Sequence, residues 1–397
     1  MRNVRCAIGV LTVLAMSSGL VHAQAPEPYL IGLTGDLSGP SAGTYKPLAE
    51  GARLYLDAIN AKGGINGHPV KLLTRDSRSD PNQVVTDQNY FDGEKVAGTI
   101  LVSPSGTLGA YIRQNLTSKV PTLYLNACYP PATPPQPDPN FFCPGISTLT
   151  DALTFVDLVQ QMMGSEKIKL AFVTSDIPGA RGAAERIMKP RAESKGMEVV
   201  DVAVMPVASS DATAIARSFM DKGVNTVISY TISKHMLAGA EALAKLGWKG
   251  KYFLFTGLPG TFEQLRQLKS ESIYGLDHFS SMNEDKPIHK EIKAAASKEK
   301  LEFPLDDIRM GYRTGMVMGA ALQKCGWPCD KDKLREIMTT LTVDGADFVD
   351  LNLNPNTFSA TNHVSPKKVY RVYQWSEQKK DIVPVGAGLT ADERDWK

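Results

Sequence analysis

From Tyr29 onward the sequence alternates between short apolar runs of strand length and longer stretches whose apolar residues recur at helical spacing. Residues 29–39, "YLIGLTGDLSG", read as a strand entering a Gly-rich loop. "PLAEGARLYLDAINA", from Pro47, puts Leu48, Ala52, Tyr55, Leu56 and Ile59 on one helix face, and Gly63-Gly64 is a signal for its C-terminal stop. Asn66-Gly67 then turns the chain into the strand "HPVKLLTRD", whose far end carries Arg75 and Asp76. Helix, strand, helix, strand follow in "PNQVVTDQNYFDGE", "VAGTILVS", "GTLGAYIRQNLTSK" and "VPTLYLN". A second series of the same kind runs from "DALTFVDLVQQMM" to "YFLFTG", with "GARGAAERIMKPRAESKG" as one of its helices. Alternation of this kind means parallel strands with helices on both faces of the sheet. It occurs twice, before and after about Gly145, and so predicts an α/β chain of two doubly wound lobes.

Sheets of this type bind ligands beyond the carboxyl ends of their strands. The loops there are "TGDLSGPSAGTY", "VSPSGTLG", "YLNACY", "VTSDIPGA", "ISYTISK" and "FTGLPGTF". They are rich in Gly, Ser and Thr, which bring backbone N–H groups and hydroxyls to a ligand. The stretch from Asn60 to Pro81, with its glycines and its burst of charge, is structural punctuation on this reading.

The N-terminus reads as a secretory leader, with Arg2 and Arg5 before the largely apolar Ala7–Val21 and a Val21-His22-Ala23 cleavage site ahead of Gln24. Its loss takes Lys+Arg from 44 to 42, level with the 42 Asp+Glu, so charge gives no argument for nucleic acid or an anionic membrane. A mature length of about 370 residues suggests two domains. Five cysteines become four when Cys6 is removed. Cys128 and Cys143 bracket a Pro-rich loop, and Cys325 and Cys329 bracket "GWP", which in an exported chain suggests two disulfides rather than a metal site. The histidines are scattered, no GxSxG occurs, and no His-x-x-x-His pair offers a zinc site, so the sequence argues against an enzyme.

The leader, the stretch "IGLTGDLSGPSAGTYKPLAEGARLYLDAINAKGGINGHPVKLLTRDSRSDP", then "TILVSPSGTLG" and "KVPTLYLN", resemble the periplasmic ligand-binding proteins of ABC importers, more narrowly the branched-chain amino acid type. The resemblance implies two Rossmann-like lobes joined by a multi-strand hinge, with the ligand in the cleft between them. It implies a leader at 1–23, a first lobe from 26–147 plus 276–347, and a second from 148–275 plus 348–397. It implies a monomer without cofactor that captures a small molecule and delivers it to membrane permease subunits; a sensor acting through a membrane receptor is the alternative.

In that family the loop after the third strand grips the ligand carboxylate, which points here to Ser103, Ser105, Gly106 and Thr107. A helix start attracts anions in any case, and Ser105 or Thr107 as an N-cap is the plainer reading. Asn126 and Ala127 follow the fourth strand and face the same cleft on this alignment. Tyr45 is expected on the first loop, either covering the ligand or as a partly exposed aromatic. In the second lobe, Tyr230 and Thr231 are the expected contacts, Tyr230 equally fitting core packing. Amino-acid binders of the family commonly place a carboxylate against the ligand ammonium, in a loop that reads Gly257-Leu258 here. An unpaired ammonium in a dry cleft is costly. The ligand is therefore expected to be an acid without an α-amino group, aromatic or otherwise organic, unless Asp176 has taken over the ammonium or the alignment is offset.

Overall fold

The computed structural model describes residues 25–126, 128, 132–133, 136–255, 259–343 and 356–392. The expected leader lies outside the described residues, as do Ala127, Gly257 and Leu258.

The first half runs β1 (Tyr29–Gly35), α1 (Ala42–Asn60), β2 (Val70–Asp76), α2 (Pro81–Gly93), β3 (Gly98–Val102), α3 (Ser105–Ser118), β4 (Thr122–Tyr124) and β5 (Phe141–Phe142). These strands form one sheet in the order β2-β1-β3-β4-β5, parallel throughout. The second half begins α4 (Thr148–Met163), β6 (Lys169–Ser175), α5 (Pro178–Ala183), α6 (Lys189–Ser194), β7 (Glu198–Met205), α7 (Thr213–Asp221), β8 (Thr226–Tyr230), α8 (Ser233–Lys245), β9 (Lys251–Phe255), α9 (Thr261–Leu268) and β10 (Ile273–Asp277). It continues α10 (Pro287–Lys298), α11 (Arg309–Cys325), α12 (Lys331–Thr339), β11 (Thr342–Val343), β12 (Asn356–Thr357), β13 (Lys367–Ser376) and β14 (Asp381–Asp392). The second sheet has the order β14-β13-β10-β9-β8-β6-β7, parallel from β7 to β10, with β13 and β14 added antiparallel at one edge.

Each sheet has its own core. One gathers Phe155, Phe172, Ile228, Phe253, Phe262 and Tyr373 around the second sheet. The other holds Ile31, Leu48, Ile100 and Leu123 of the first sheet and its first helix against Ile292, Val317, Met318 and Leu334. Helices α10 to α12 therefore pack on the first lobe, although β10 before them and β13 after them belong to the second sheet. The described chain thus crosses between lobes near Cys143–Ser147, after Asp277, and between Phe358 and Lys367. Two crossings are bonded to each other: Cys143 N donates to His363 O (2.8 Å) and Ser365 N to Gly145 O (2.6 Å). Both disulfides form, Cys128–Cys143 beside this crossing and Cys325–Cys329 after α11, with Cα atoms 5.6 and 5.8 Å apart.

Asn66 and Gly67 take φ of +52° and +80°, and Ile65 and His68 exchange both backbone hydrogen bonds around them, as a two-residue hairpin turn requires. Two elements differ from the sequence pattern. Helix α1 begins at Ala42, five residues before Pro47, so Tyr45 lies in its first turn and not on a loop. The cause is Asp36, whose carboxylate accepts from Gly39 N (2.6 Å) and Ser41 N (2.8 Å) and curls the Gly-rich stretch into a helix start. The single helix expected over "GARGAAERIMKPRAESKG" is α5 and α6 joined by a π-helical turn, Ala184–Met188. Pro190 has no N–H to close the ordinary i→i−4 bond there, and a wider turn accommodates it.

Candidate functional site: the cleft between the lobes

Helix α3 of the first lobe lies against α5 of the second, Cα atoms coming within 8 Å. Both helices start at the carboxyl ends of parallel strands, β3 and β6, so the space between the two strand edges is the cleft that the topology predicts.

The first-lobe wall is built around Ser103. Its carbonyl, at the end of β3, accepts from Tyr124 OH (3.0 Å) and Asn126 Nδ2 (3.2 Å), and Asn126 Nδ2 also reaches Tyr45 OH at 3.0 Å. Tyr45 is only 3% exposed, so its ring is wall and not cover. Two of the sequence-predicted hydroxyls are committed inside the protein. Thr107 Oγ1 donates to Pro104 O (3.0 Å), and Ser103 Oγ lies 2.5 Å from Thr107 Oγ1. With the Thr107 proton used on Pro104, Ser103 must be the donor of that second bond. Ser105 is different. Its Oγ is sealed from solvent and has no hydrogen-bond partner. Ser105 is the first residue of α3, behind Pro104 as N-cap, and no side chain caps this helix. Neither Ser105 nor Thr107 is the N-cap. Thr107 N donates to Pro104 O (3.2 Å), which leaves the N–H groups of Ser105 and Gly106 at the helix start beside an uncommitted buried hydroxyl, a combination suited to a carboxylate. Gly106 beside it is exposed, with nothing within 4 Å of where a Cβ would stand.

On the second-lobe side the predicted residues scatter. Tyr230 is buried in the second core and donates from its OH to Asp151 Oδ2 (3.4 Å), in the first turn of α4; Tyr370 OH donates to the other oxygen of Asp151. Thr231 is buried, its hydroxyl donating to Ile232 O (3.1 Å) and lying 3.2 Å from Ser229 Oγ. Asp176 is 57% exposed and sits 3.6 Å from Arg181 Nη1, within its own lobe. A charge that open to water is a weak partner for a buried ammonium. Beneath Asp176, Ser175 Oγ accepts from Ile232 N (3.1 Å) and donates to His235 Nδ1 (2.7 Å), while His235 Nε2 donates to Ser209 O (2.9 Å). Burial lowers the pKa of this imidazole, consistent with the neutral tautomer those bonds require.

The sequence reading missed Asp307. Helices α1 and α11 run side by side in the same direction. A Cβ on Gly311 would meet Leu48 O at 1.9 Å, and one on Gly319, two turns later, would meet the Tyr55 ring at 2.8 Å. The start of α11 therefore lies at the same cleft-facing edge as the start of α1. From there Asp307 Oδ1 accepts from Gly260 N (2.7 Å), the residue before α9 in the second lobe. Burial, chiefly, raises the pKa of this carboxyl from 3.8 to about 6. Only the paired acids "DD" ahead of a helix mark it in the sequence.

Among the described residues no helix is long and apolar enough to cross a membrane, and no group of three or more His, Cys, Asp and Glu side chains could hold a metal ion.

A family model for periplasmic binding proteins matches residues 28–380. The Leu/Ile/Val-binding protein BraC3 of Rhizobium johnstonii is 27% identical over a segment covering 28% of this chain and 38% of that protein, so the match spans well under half the curated relative. Among solved structures, a branched chain amino acid ABC transporter protein of Thermus thermophilus with bound valine superimposes with a TM-score of 0.77, at 15% identity, over 92% of this chain and 97% of that one. A solute binding protein of an ABC transporter from Rhodopseudomonas palustris BisB5, in complex with 3,4-dihydroxybenzoic acid, gives 0.76 at 18% identity over 92% and 98%.

Proposed function

Because the chain belongs to the periplasmic binding protein family, we propose that it is the extracytoplasmic ligand-binding subunit of an ABC importer of the branched-chain amino acid type. It captures a small carboxylate in the cleft, closes around it, and presents it to membrane permease subunits. The single observation that carries the ligand class is the orphaned Ser105 hydroxyl, sealed from water in the first turn of α3, where no side chain caps the helix. A buried donor without a partner costs about 1–3 kcal/mol, and an anionic ligand relieves that cost.

On this reading the lobes divide near 26–147 plus 276–347 and 148–275 plus 348–397, with Leu276 and Asp277 kept in β10 of the second sheet and Phe358 in the first core. The chain reaches the periplasm with its leader cleaved near Ala23. Binding selects the closed form because ligand contacts from both walls exist only there.

Within carboxylates, the reading favours amine-free acids, aromatic ones in particular. Asp176, the residue that could have answered an ammonium, is open to water and lies beside Arg181. Relatives of the same fold have been solved with 4-hydroxybenzoate and with 3,4-dihydroxybenzoic acid, but another holds valine. A thermal-shift panel of benzoate, 4-hydroxybenzoate, cinnamate, leucine, isoleucine and valine tests the reading. A ligand at a hundredfold excess over Kd stabilises by about 2.7 kcal/mol. Stabilisation by the branched-chain amino acids alone would overturn the amine-free reading. Stabilisation by none of the acids would overturn the carboxylate reading itself.

A further inference from the structure

Asp307 and Gly260 belong to different lobes. Ile308 and Tyr312, next to Asp307, sit in the first core, whereas Phe262 and Leu265, next to Gly260, sit in the second. Their 2.7 Å hydrogen bond is therefore a lobe-to-lobe contact at the cleft edge. It has company: the Arg309 guanidinium lies 4.4 Å over the Phe262 ring, and Arg266 Nη2 is 2.9 Å from Asp306 Oδ2. Gly260, at φ +94°, also ends the loop after β9, and the residues beside it are tied to the next cleft loop. Ser233 Oγ donates to Pro259 O, and Gln264 Nε2 donates to Ser233 O (2.6 Å). Pulling on Gly260 N thus draws two second-lobe cleft segments, 259–260 and 230–233, toward the first lobe.

We propose that Asp307 is a positioning residue for ligand capture: its carboxylate latches the start of α9 across the cleft when the lobes close, and closure thereby takes up a proton. The inference rests on the binding role proposed above. The charges facing Asp307 are Asp306 and Arg309 from its own segment and Glu263 from α9, with Arg266 one turn further along. Burial outweighs Arg309 and the Gly260 N–H, and the pKa is about 6 with the lobes together. With the lobes apart the carboxyl is hydrated and returns toward 3.8. The closed form then binds the proton more tightly, so closure is favoured as pH falls through 6. A shift of this size makes closure, and with it ligand affinity, about tenfold more favourable at pH 5 than at pH 7.

The test is calorimetric titration of 4-hydroxybenzoate into the mature protein at pH 7, 6 and 5, with affinity expressed per ionised ligand. Wild type is expected to bind about tenfold more tightly at pH 5 than at pH 7. Asp307→Asn keeps the acceptor oxygen and cannot ionise; it should show no pH dependence and bind at pH 7 at least as tightly as wild type does at pH 5. Asp307→Ala should bind more weakly at every pH, also without the dependence. A residue that merely supports the fold would weaken binding in both variants and leave the pH slope of Asp307→Asn intact, and that result overturns the proposal. So does a pH-independent wild type. If 4-hydroxybenzoate does not bind wild type, the aromatic-acid reading fails on its own, and hydrogen exchange at saturating valine, or without ligand if valine also fails, decides the latch. Faster exchange of the Gly260 segment in Asp307→Ala, with an unchanged melting curve, supports it. Unchanged exchange refutes it.

Discussion

Replacing Ser105 by alanine separates a ligand contact from a structural one, because the two roles predict opposite signs. The Ser105 hydroxyl is buried without a partner. Removing it from the ligand-free protein deletes an unsatisfied polar group, which leaves stability unchanged or raises it by up to about 1 kcal/mol. Removing it from the complex deletes a hydrogen bond to a charged carboxylate, worth about 1.5–3 kcal/mol, so affinity should fall roughly 10- to 150-fold. Ser103 is the matched control. Its proton is committed to Thr107 Oγ1 at 2.5 Å inside the wall. Ser103→Ala should therefore lower stability by about 1 kcal/mol and change affinity much less than Ser105→Ala does. Urea denaturation of the ligand-free proteins and calorimetry with the tightest acid of the panel give both numbers. If Ser105→Ala binds as wild type, or if Ser103→Ala loses more affinity than Ser105→Ala, the placement of the carboxylate at the α3 start is wrong.

The other expectations concern stability. Gly311→Ala drives a Cβ to within 1.9 Å of Leu48 O and should cost about 1–3 kcal/mol in urea midpoint, whereas Gly43→Ala, in the same helix pair with nothing within 4 Å, should gain roughly 0.5–1 kcal/mol. Loss of the Cys128–Cys143 bridge, which closes a 15-residue separation, should cost about 3 kcal/mol, read as the difference between the wild type and the double serine variant. His235, His278, His289 and His363 are all held below their ordinary 6.5, in each case by burial first. The unfolded chain then takes up protons that the folded chain refuses, and stability falls as pH drops below 6.5. Asp277 and Asp307, raised to about 6 by burial, act in the opposite direction, gaining stability as pH falls through 6. Urea midpoints at pH 7 and pH 5 read the balance: a lower midpoint at pH 5 shows the imidazoles dominating, a higher one the two carboxyls.

What could be read from the sequence was whatever depends on neighbours along the chain. The strand–helix alternation, the Asn66-Gly67 turn, the two short-range cysteine pairs and the hydroxyl-rich loop after β3 are of that kind. What escaped depends on partners far away. Tyr230 is a core residue whose hydroxyl donates to Asp151, 79 residues earlier. Tyr45 is helical because Asp36 gathers the N–H groups of Gly39 and Ser41, so a Gly-Pro-Ser stretch that ordinarily reads as loop is curled into a helix. Ser103 and Thr107 were as attractive as Ser105 by residue type. Only the direction of each proton, set by Pro104 O, shows that two of the three hydroxyls are already used. Asp307 contacts Gly260 across 47 residues and across the cleft, a pairing that no local pattern announces.

The charge of the ligand and the pKa of Asp307 are coupled, and the coupling bears on ligand class. An amine-free acid brings a negative charge into a cleft whose rim carries this carboxyl. Like charges in a drying cleft raise the cost of ionising Asp307 and add to the effect of burial. Acidification through pH 6 then removes both penalties together, and affinity rises. A ligand with an ammonium directed at the second-lobe wall does the reverse: the cation favours the ionised carboxylate, the Asp307 pKa falls on binding, and acidification gains little or weakens the complex. Valine is zwitterionic throughout pH 5 to 7, so its own ionisation does not enter. The slope of affinity against pH therefore tells an amine-free acid from an amino acid through the protein's own titrating group, independently of which panel member binds more tightly.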